Sequence, residues 1–493
     1  VKSRLADASP MVRFAAFRVA CTELCLDRAA AVRDAADLLV RIQHEGENLR
    51  NHVLKALEIL FLTPPPAMKT LHRLVALAAE KDMCNQRMCE LLRTHKLVRG
   101  ADVCLLSLKA IASDAISQVQ AQGEMDDPKH LSLVLEAVSC EAPDALENHI
   151  DSLQDWISFG IKAPPNKRVL AQQACRILTN ALPRWATGAK ASALQHTGRQ
   201  IQDSLSALLE APEEILVREA TTCFCKLALE GIVDMQEILG HFNEAFAHLS
   251  RTVERRTPLD ATSQRRVCRL AWIIGSTLEF VDVDSLTCSA EVGKQQSIVQ
   301  AAAWFLCTLF LKGPPTMRAS IVPCLGFVAR QHAGLLHHRD SGGFYEAFRT
   351  GLLIEGDSSM LRLRTLETLS ALLAVYQGQA ELGPDSASKG STSGGVTEAV
   401  NCLASLQPEV LGAVGRVEEP DAASSALGVL QVMQRLGVLH AASVLPGLLA
   451  AVFSGCQANA VQCRRLLLSV VESSPDGLAN RLSGGIRAGA GAP

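Results

Sequence analysis

Four times along the chain a short polar turn leads through a branched residue and an Arg into a helix rich in Ala and Leu. Asp7-Ala8-Ser9-Pro10-Met11-Val12-Arg13 precedes Phe14-Ala15-Ala16, and Asp27-Arg28-Ala29-Ala30-Ala31-Val32-Arg33 precedes Asp34-Ala35-Ala36-Asp37-Leu38-Leu39. Ala211-Pro212-Glu213-Glu214-Ile215-Leu216-Val217-Arg218 precedes Glu219-Ala220, and Asp357-Ser358-Ser359-Met360-Leu361-Arg362 precedes Leu363-Arg364-Thr365-Leu366. The Asp or Ser can accept from the free N–H groups of the following helix. The branched residue is expected to pack inward, and the Ala pair to let a neighbouring helix approach. A unit of this kind cannot bury its apolar face alone, so recurrence implies stacking into one extended array. Size points the same way: 493 residues exceed what a single core holds, since cores stop growing at roughly 250–300 residues.

This grammar resembles the second helix of HEAT repeats. Such repeats run roughly 40–47 residues, so about ten to twelve fit. The expected fold is an all-α, superhelical HEAT-repeat α-solenoid. Between the signatures, helices of apolar three-and-four spacing end at breakers such as Leu62-Thr63-Pro64-Pro65-Pro66, Ile161-Lys162-Ala163-Pro164-Pro165 and Leu311-Lys312-Gly313-Pro314-Pro315, because Pro cannot continue a helix past its first turn. Gln377–Gly395 is rich in Gly and Ser with almost no apolar residue and reads as a mobile loop. Asp282–Gln296 is a weaker polar break. The expected organisation is a HEAT array over 1–376, a flexible loop over 377–395, C-terminal HEAT repeats over 396–483 and a disordered tail over 484–493. The opening Val1-Lys2-Ser3-Arg4 has no Met and runs straight into helical pattern, as an excised piece of a longer chain would.

Composition narrows the function. Aromatics are only 4% of residues, which disfavours sheet-rich folds. A net charge of −3 supplies no global basic field for nucleic acid. Sixteen cysteines fall mostly as single residues on apolar helix faces, as at Cys104, Cys175, Cys307 and Cys324. With no C-x-x-C pair, and with Cys21/Cys25, Cys84/Cys89 and Cys223/Cys225 lacking histidines at zinc spacing, they read as buried free thiols of a reducing compartment. No uninterrupted apolar run reaches the roughly 18 residues of a membrane span, and no signal peptide is recognisable. P-loop, G-x-G-x-x-G, G-x-S-x-G and H-E-x-x-H motifs are all missing, so no catalytic residue, cofactor or metal is expected. His337-His338-Arg339-Asp340 reads as a solvated helix end, and His332 as a capping or surface residue.

What remains is local positive charge. Arg251, Arg255 and Arg256 are followed by Arg265, Arg266 and Arg269. In the helix beginning near Ser263, Val267, Ala271 and Ile274 share one face while Arg265 and Arg269 share another. A second cluster comprises Arg93, His95, Lys96 and Arg99, and a third Lys162, Lys167 and Arg168. Such clusters bind phosphate through counterion release; without interleaved aromatics they do not stack bases. Arg251, Arg255, Arg256, Arg265, Arg266, Arg269, Lys162, Lys167 and Arg168 are the candidate DNA contacts. A solvated helix face is the competing reading of each cluster.

The order of segments resembles the C-terminal HEAT region of the cohesin loader large subunit, the Nipped-B (NIPBL) family. The resemblance opens at Leu5–Pro66, closing on Ala56-Leu57-Glu58-Ile59-Leu60-Phe61-Leu62-Thr63-Pro64-Pro65. It continues in Asn166–Leu182 and in Arg266–Asp284 with Ile274-Gly275-Ser276-Thr277-Leu278-Glu279-Phe280-Val281-Asp282. It is densest over Ile321-Val322-Pro323-Cys324-Leu325-Gly326-Phe327, Gln331-His332, Leu335-Leu336, Tyr345 and Leu366–Leu373, and returns in Gln434-Arg435-Leu436-Gly437-Val438-Leu439-His440 and Val444-Leu445-Pro446. The family's first helix is often densely basic, whereas Phe14, Ala15 and Ala16 stand here. The resemblance implies a nuclear, chromosome-associated scaffold that contacts cohesin (SMC heads and kleisin) and double-stranded DNA or chromatin, with no nucleotide of its own. It also implies a small TPR-type loader subunit, bound through an N-terminal region outside this sequence. A condensin-type HEAT subunit and a nuclear transport or adaptor solenoid are the alternatives; the absence of Trp-x-x-x-Asn at Trp156, Trp185, Trp272 and Trp304 weighs against an armadillo-type importin.

Overall fold

The computed structural model describes residues 4–5, 9–26, 31–42, 45–62, 67–80, 84–121, 128–158, 165–186, 191–255, 259–287, 297–337, 343–353, 359–381, 393–416, 418–439, 441–453 and 457–473. All regular structure among them is helical. The chain divides into two compact units, Val1–Met235 and Gln236–Pro493.

In the first unit the helices are α1 (Pro10–Leu26), α2 (Ala31–Arg41), α3 (Glu47–Leu62), α4 (Ala67–Ala78), α5 (Asn85–Arg99), α6 (Ala101–Ala121), α7 (Pro128–Glu141), α8 (Ile150–Ile157), α9 (Pro165–Ala186), α10 (Ala191–Leu208) and α11 (Glu214–Leu229). The odd helices pack each on the next but one, α1 on α3, α3 on α5, α5 on α7, then α7 on α9 and α9 on α11. A second layer runs through α2, α4 and α6, and through α8 and α10. This is the two-layer stacking of a HEAT-type solenoid. Leu91, Leu92, Leu108, Ile111, Val134, Leu135, Leu178 and Phe224 fill the seam between layers and are fully buried.

In the second unit the helices are α12 (Met235–Glu254), α13 (Ala261–Phe280), α14 (Val283–Thr287), α15 (Ile298–Lys312), α16 (Pro315–Gln331), α17 (Gly334–His337), α18 (Phe344–Leu353), α19 (Ser359–Glu381), α20 (Ser393–Ala404), α21 (Gln407–Val414), α22 (Pro420–Arg435), α23 (Ala441–Phe453) and α24 (Gln457–Ser473). One layer runs α13, α16, α19, α22, α24 and the other α15, α18, α21, α23. Small residues set the spacing in the first. A Cβ on Gly275 of α13 would lie 2.8 Å from Cys324 Cβ and 2.9 Å from its Cα on α16. A Cβ on Gly326 of α16 would lie 2.3 Å from Thr368 Cγ2 on α19. Such clearance admits only a hydrogen.

The turn signatures do start helices, at Pro10, Ala31, Glu214 and Ser359, but not always by the expected chemistry. Glu213 precedes α11 without capping it through its side chain; it pairs instead with Arg168 of α9. Side-chain capping occurs elsewhere, from Asp260 to Ser263 N at 2.7 Å and from Ser297 to Gln300 N at 3.2 Å. Val217 and Leu361 pack inward as expected, whereas Val12 is exposed. Asp7 and Ala8, residues 27–30, and Asp357 and Ser358 of the signatures lie outside the described residues.

The Pro breakers hold: α3 ends at Leu62, α9 begins at Pro165, and Gly313 and Pro314 separate α15 from α16. Pro323 breaks the rule, since α16 continues through it between α13 and α19. Packing on both flanks outweighs one lost backbone bond. Residues 377–381 and 393–395 of the expected loop are helical. Helix α19 runs to Glu381 and α20 starts at Ser393, and 382–392 lie outside the described residues, as does the tail 484–493. Within the polar break, Val283–Thr287 is helical and 288–296 lie outside the described residues.

Candidate nucleic-acid interface

The largest predicted basic cluster forms where α12 ends and α13 begins. Phe242 and Leu249 anchor α12 in the core, and Val267, Ala271 and Ile274 anchor α13. The opposite faces are thereby presented to solvent. Arg251, Arg255, Arg265 and Arg266 are exposed, and Arg251 donates Nε–H to Ala247 O at 3.0 Å. Arg251 and Arg255 occupy the C-terminal end of α12, where cations complement the helix dipole. Asp260 fixes the first turn of α13, and this bond holds its carboxyl below the usual carboxylate range.

His248 reports that the arginines converge. Partial burial lowers its pKa below the ordinary value, and Arg266, Arg251 and Arg255 push it down further, against Glu244. Charges from both helices therefore act on one imidazole. Arg269, one turn beyond Arg265 on α13, is only partly exposed and its Nε is enclosed. Arg256 lies outside the described residues.

The described members of the other two basic clusters are paired with neighbouring groups of the first unit. Arg93 Nη2 lies 2.7 Å from Glu141 Oε1, Arg99 Nε lies 3.1 Å from Glu58 Oε1, and His95 Nδ1 lies 3.0 Å from the same oxygen. Lys96 Nζ donates to Glu141 O at 3.4 Å. Arg168 pairs with Glu213; Lys162 lies outside the described residues, and of Lys167 only the backbone is described.

These pairs belong to a pattern that charge counting along the sequence does not reveal. Arginines on one odd helix reach carboxylates on the next: Arg50 to Glu90, Arg93 to Glu141, and Arg176 of α9 to Glu136 of α7 and Glu219 of α11, the last at 2.9 Å. In the second unit Arg330 of α16 reaches Glu279 of α13 at 2.6 Å. Much of the positive charge thus joins repeat to repeat.

His332 follows α16 as its C-cap residue and is half-buried; burial lowers its pKa while Asp282 and Asp284 pull it upward. Residues 338–340 of the His337 cluster lie outside the described residues. Cys104, Cys175, Cys307 and Cys324 are buried free thiols. The single-residue reading missed that sulfurs meet across helices, because Cys89 and Cys140, like Cys175 and Cys223, lie about one repeat apart. Among the described residues, no group of three or more His, Cys, Asp or Glu side chains could hold a metal ion. No described helix is long and apolar enough to cross a membrane.

Two-layer helix stacking and a solvated charged surface define a HEAT-type α-solenoid scaffold. Among solved structures the chain is similar to the Chaetomium thermophilum cohesin loader SCC2, C-terminal fragment. The TM-score is 0.74 at 14% identity, over 99% of this chain and 36% of that one. The chain thus spans about a third of that structure's length. It also matches importin beta in an ammonium sulfate condition (TM-score 0.34, 13% identity, 98% of this chain and 66% of that chain). Kap121p bound to Pho4p matches with TM-score 0.28 and 10% identity, over 99% and 63% of the two chains. No protein-family model matches the sequence, and no curated protein sequence matches it.

Proposed function

We propose that this chain is a cohesin-loader-type scaffold. It binds cohesin through the SMC heads and kleisin, holds double-stranded DNA against them, and so promotes cohesin loading onto chromatin and sister chromatid cohesion in the nucleus. The supporting observation is the fold likeness to the cohesin loader fragment over 99% of the chain. The ordered islands of sequence resemblance from Leu5 to Pro446 run in the same direction. In this reading the protein supplies surface rather than chemistry. Its repeats present apolar and acidic ridges to protein, while Arg251, Arg255, Arg265 and Arg266 meet phosphate. ATP hydrolysis belongs to cohesin and is stimulated by the docked scaffold. A small TPR-type loader subunit is a further partner in this reading.

The test is a pull-down of the full chain against purified cohesin and condensin subunits, with and without duplex DNA. Retention of SMC heads and kleisin of cohesin, strengthened by DNA, is the expected result. Selective retention of condensin subunits, or of basic import signals alone, overturns the proposal in favour of a condensin-type or transport scaffold.

A further inference from the structure

Two thiols face each other across the step from α5 to α7. Cys89 Sγ donates to Asn85 Oδ1 at 3.4 Å, and Asn85 Nδ2 donates to Cys140 Sγ at 3.9 Å, so one amide bridges both sulfurs. Cys89 Sγ also reaches Ala137 O at 4.0 Å. The two thiols lie close enough to perturb each other's acidity. Their neighbours hold them in register. Asn85, Cys89 and Arg93 follow at four-residue intervals on one face of α5. Opposite them, Glu136 accepts from Asn85 Nδ2 at 2.9 Å and Glu141 from Arg93 Nη2 at 2.7 Å.

The two sulfurs differ in access and acidity. Cys89 is buried, whereas Cys140 is partly open to solvent. The Cys89 side chain lowers the Cys140 thiol below its ordinary range; burial opposes this, Asn85 assists, and the Glu136 and Glu141 carboxylates oppose. Cys89 is raised correspondingly. This division suits an attacking thiolate and a resolving thiol.

We propose that Cys140 and Cys89 form a hydroperoxide-responsive dithiol site that closes into a disulfide joining α5 to α7. The Cys140 thiolate attacks one peroxide oxygen of hydrogen peroxide, breaking the O–O bond, giving the sulfenic acid and releasing hydroxide. The Cys89 sulfur then attacks the Cys140 sulfur and displaces the OH group, which leaves as water with the Cys89 proton. Two thiols lose two electrons in all, and the peroxide is reduced to two waters. The product fixes one repeat against the next at a step already carrying the Arg93–Glu141 ion pair. Cys223 of α11 likewise perturbs the acidity of Cys175 of α9, but both are fully buried, and they serve as an internal control.

The full chain is treated with hydrogen peroxide, alkylated, digested without reductant and read by mass spectrometry. A Cys89–Cys140 cross-linked peptide that dithiothreitol abolishes is expected, with Cys175 and Cys223 remaining thiols. Formation should be faster at pH 8 than at pH 6, because the Cys140 thiolate is the attacking species. Cys89→Ser should leave Cys140 trapped by dimedone as a sulfenic acid, whereas Cys140→Ser should leave Cys89 unlabelled. A wild-type chain in which Cys140 stays a thiol, passes to sulfinic acid while Cys89 stays free, or links to the exposed Cys84 overturns the proposal.

Discussion

Arg362 of α19 is wholly enclosed and donates through Nη1 to both carboxylate oxygens of Glu419, the residue preceding α22. Its Nε–H also donates to Leu352 O at the end of α18, at 3.2 Å. One guanidinium therefore joins three helix ends. Removing either partner is not equivalent. Glu419→Ala leaves a buried cation without its counter-charge and should cost about 3–5 kcal/mol. Arg362→Met leaves a carboxylate that can turn toward water while its own stem is replaced by an apolar one, and should cost less. Urea denaturation of the two variants checks the order; equal losses would contradict the asymmetry.

The close approach of α13 and α16 at Gly275 makes a sharper demand. Gly275→Ala places a methyl 2.8 Å from Cys324 Cβ and 2.9 Å from its Cα, so the backbones must part. Overpacking of this kind costs about 1–3 kcal/mol. Gly428 of α22 is the contrast: a Cβ there meets only Ser370 Oγ at 3.9 Å. Gly428→Ala removes a helix-interior glycine and should stabilise by about 0.5–1 kcal/mol. Thermal melts of the two alanine variants should move in opposite directions.

These two relationships mark what the sequence disclosed and what it did not. Helix type and the two-layer repeat were legible because Pro314, Pro165 and the Val217-Arg218 signature are local signals that packing respected. Pro323 misleads, since only the helices on either side of α16 explain why it continues. The cluster of Arg251, Arg255, Arg265 and Arg266 was legible because charges near in sequence stayed near in space. Arg93, Arg99 and Arg168 looked the same along the chain, yet their carboxylate partners lie 48, 41 and 45 residues away. No window of one helix contains that information. Cys89 and Cys140 were hidden for the same reason.

Acid should weaken the second unit partly through His332. Its folded pKa is lowered from the ordinary 6.5, chiefly by burial, with Asp282 and Asp284 opposing. The unfolded chain therefore takes up a proton at a higher pH than the folded one. The contribution to stability is complete above the unfolded value and is lost as pH falls through the folded one. His332→Gln cannot take up that proton, so its stability should decline less steeply below pH 6.5 than that of the wild type. Denaturation midpoints measured from pH 7.5 down to pH 5, at roughly half-unit steps, decide it; parallel curves would remove His332 from the acid response.

If duplex DNA lies on the end of α12 and the start of α13, salt dependence should register each exposed arginine there. Every phosphate neutralised contributes about 0.9 to the slope of log affinity against log salt. Charge-neutral Gln at Arg251, Arg255, Arg265 and Arg266 together should lower the slope by up to about 3.6, whatever the DNA sequence. Arg93→Gln and Arg168→Gln should leave the slope unchanged, because those side chains are paired with Glu141 and Glu213. His248 supplies a second reading. Phosphate over Arg251, Arg255 and Arg266 would offset the charge that depresses its pKa, so its NMR titration should shift upward when duplex DNA binds and not when it is withheld. An unchanged slope together with an unmoved His248 would place DNA on another surface.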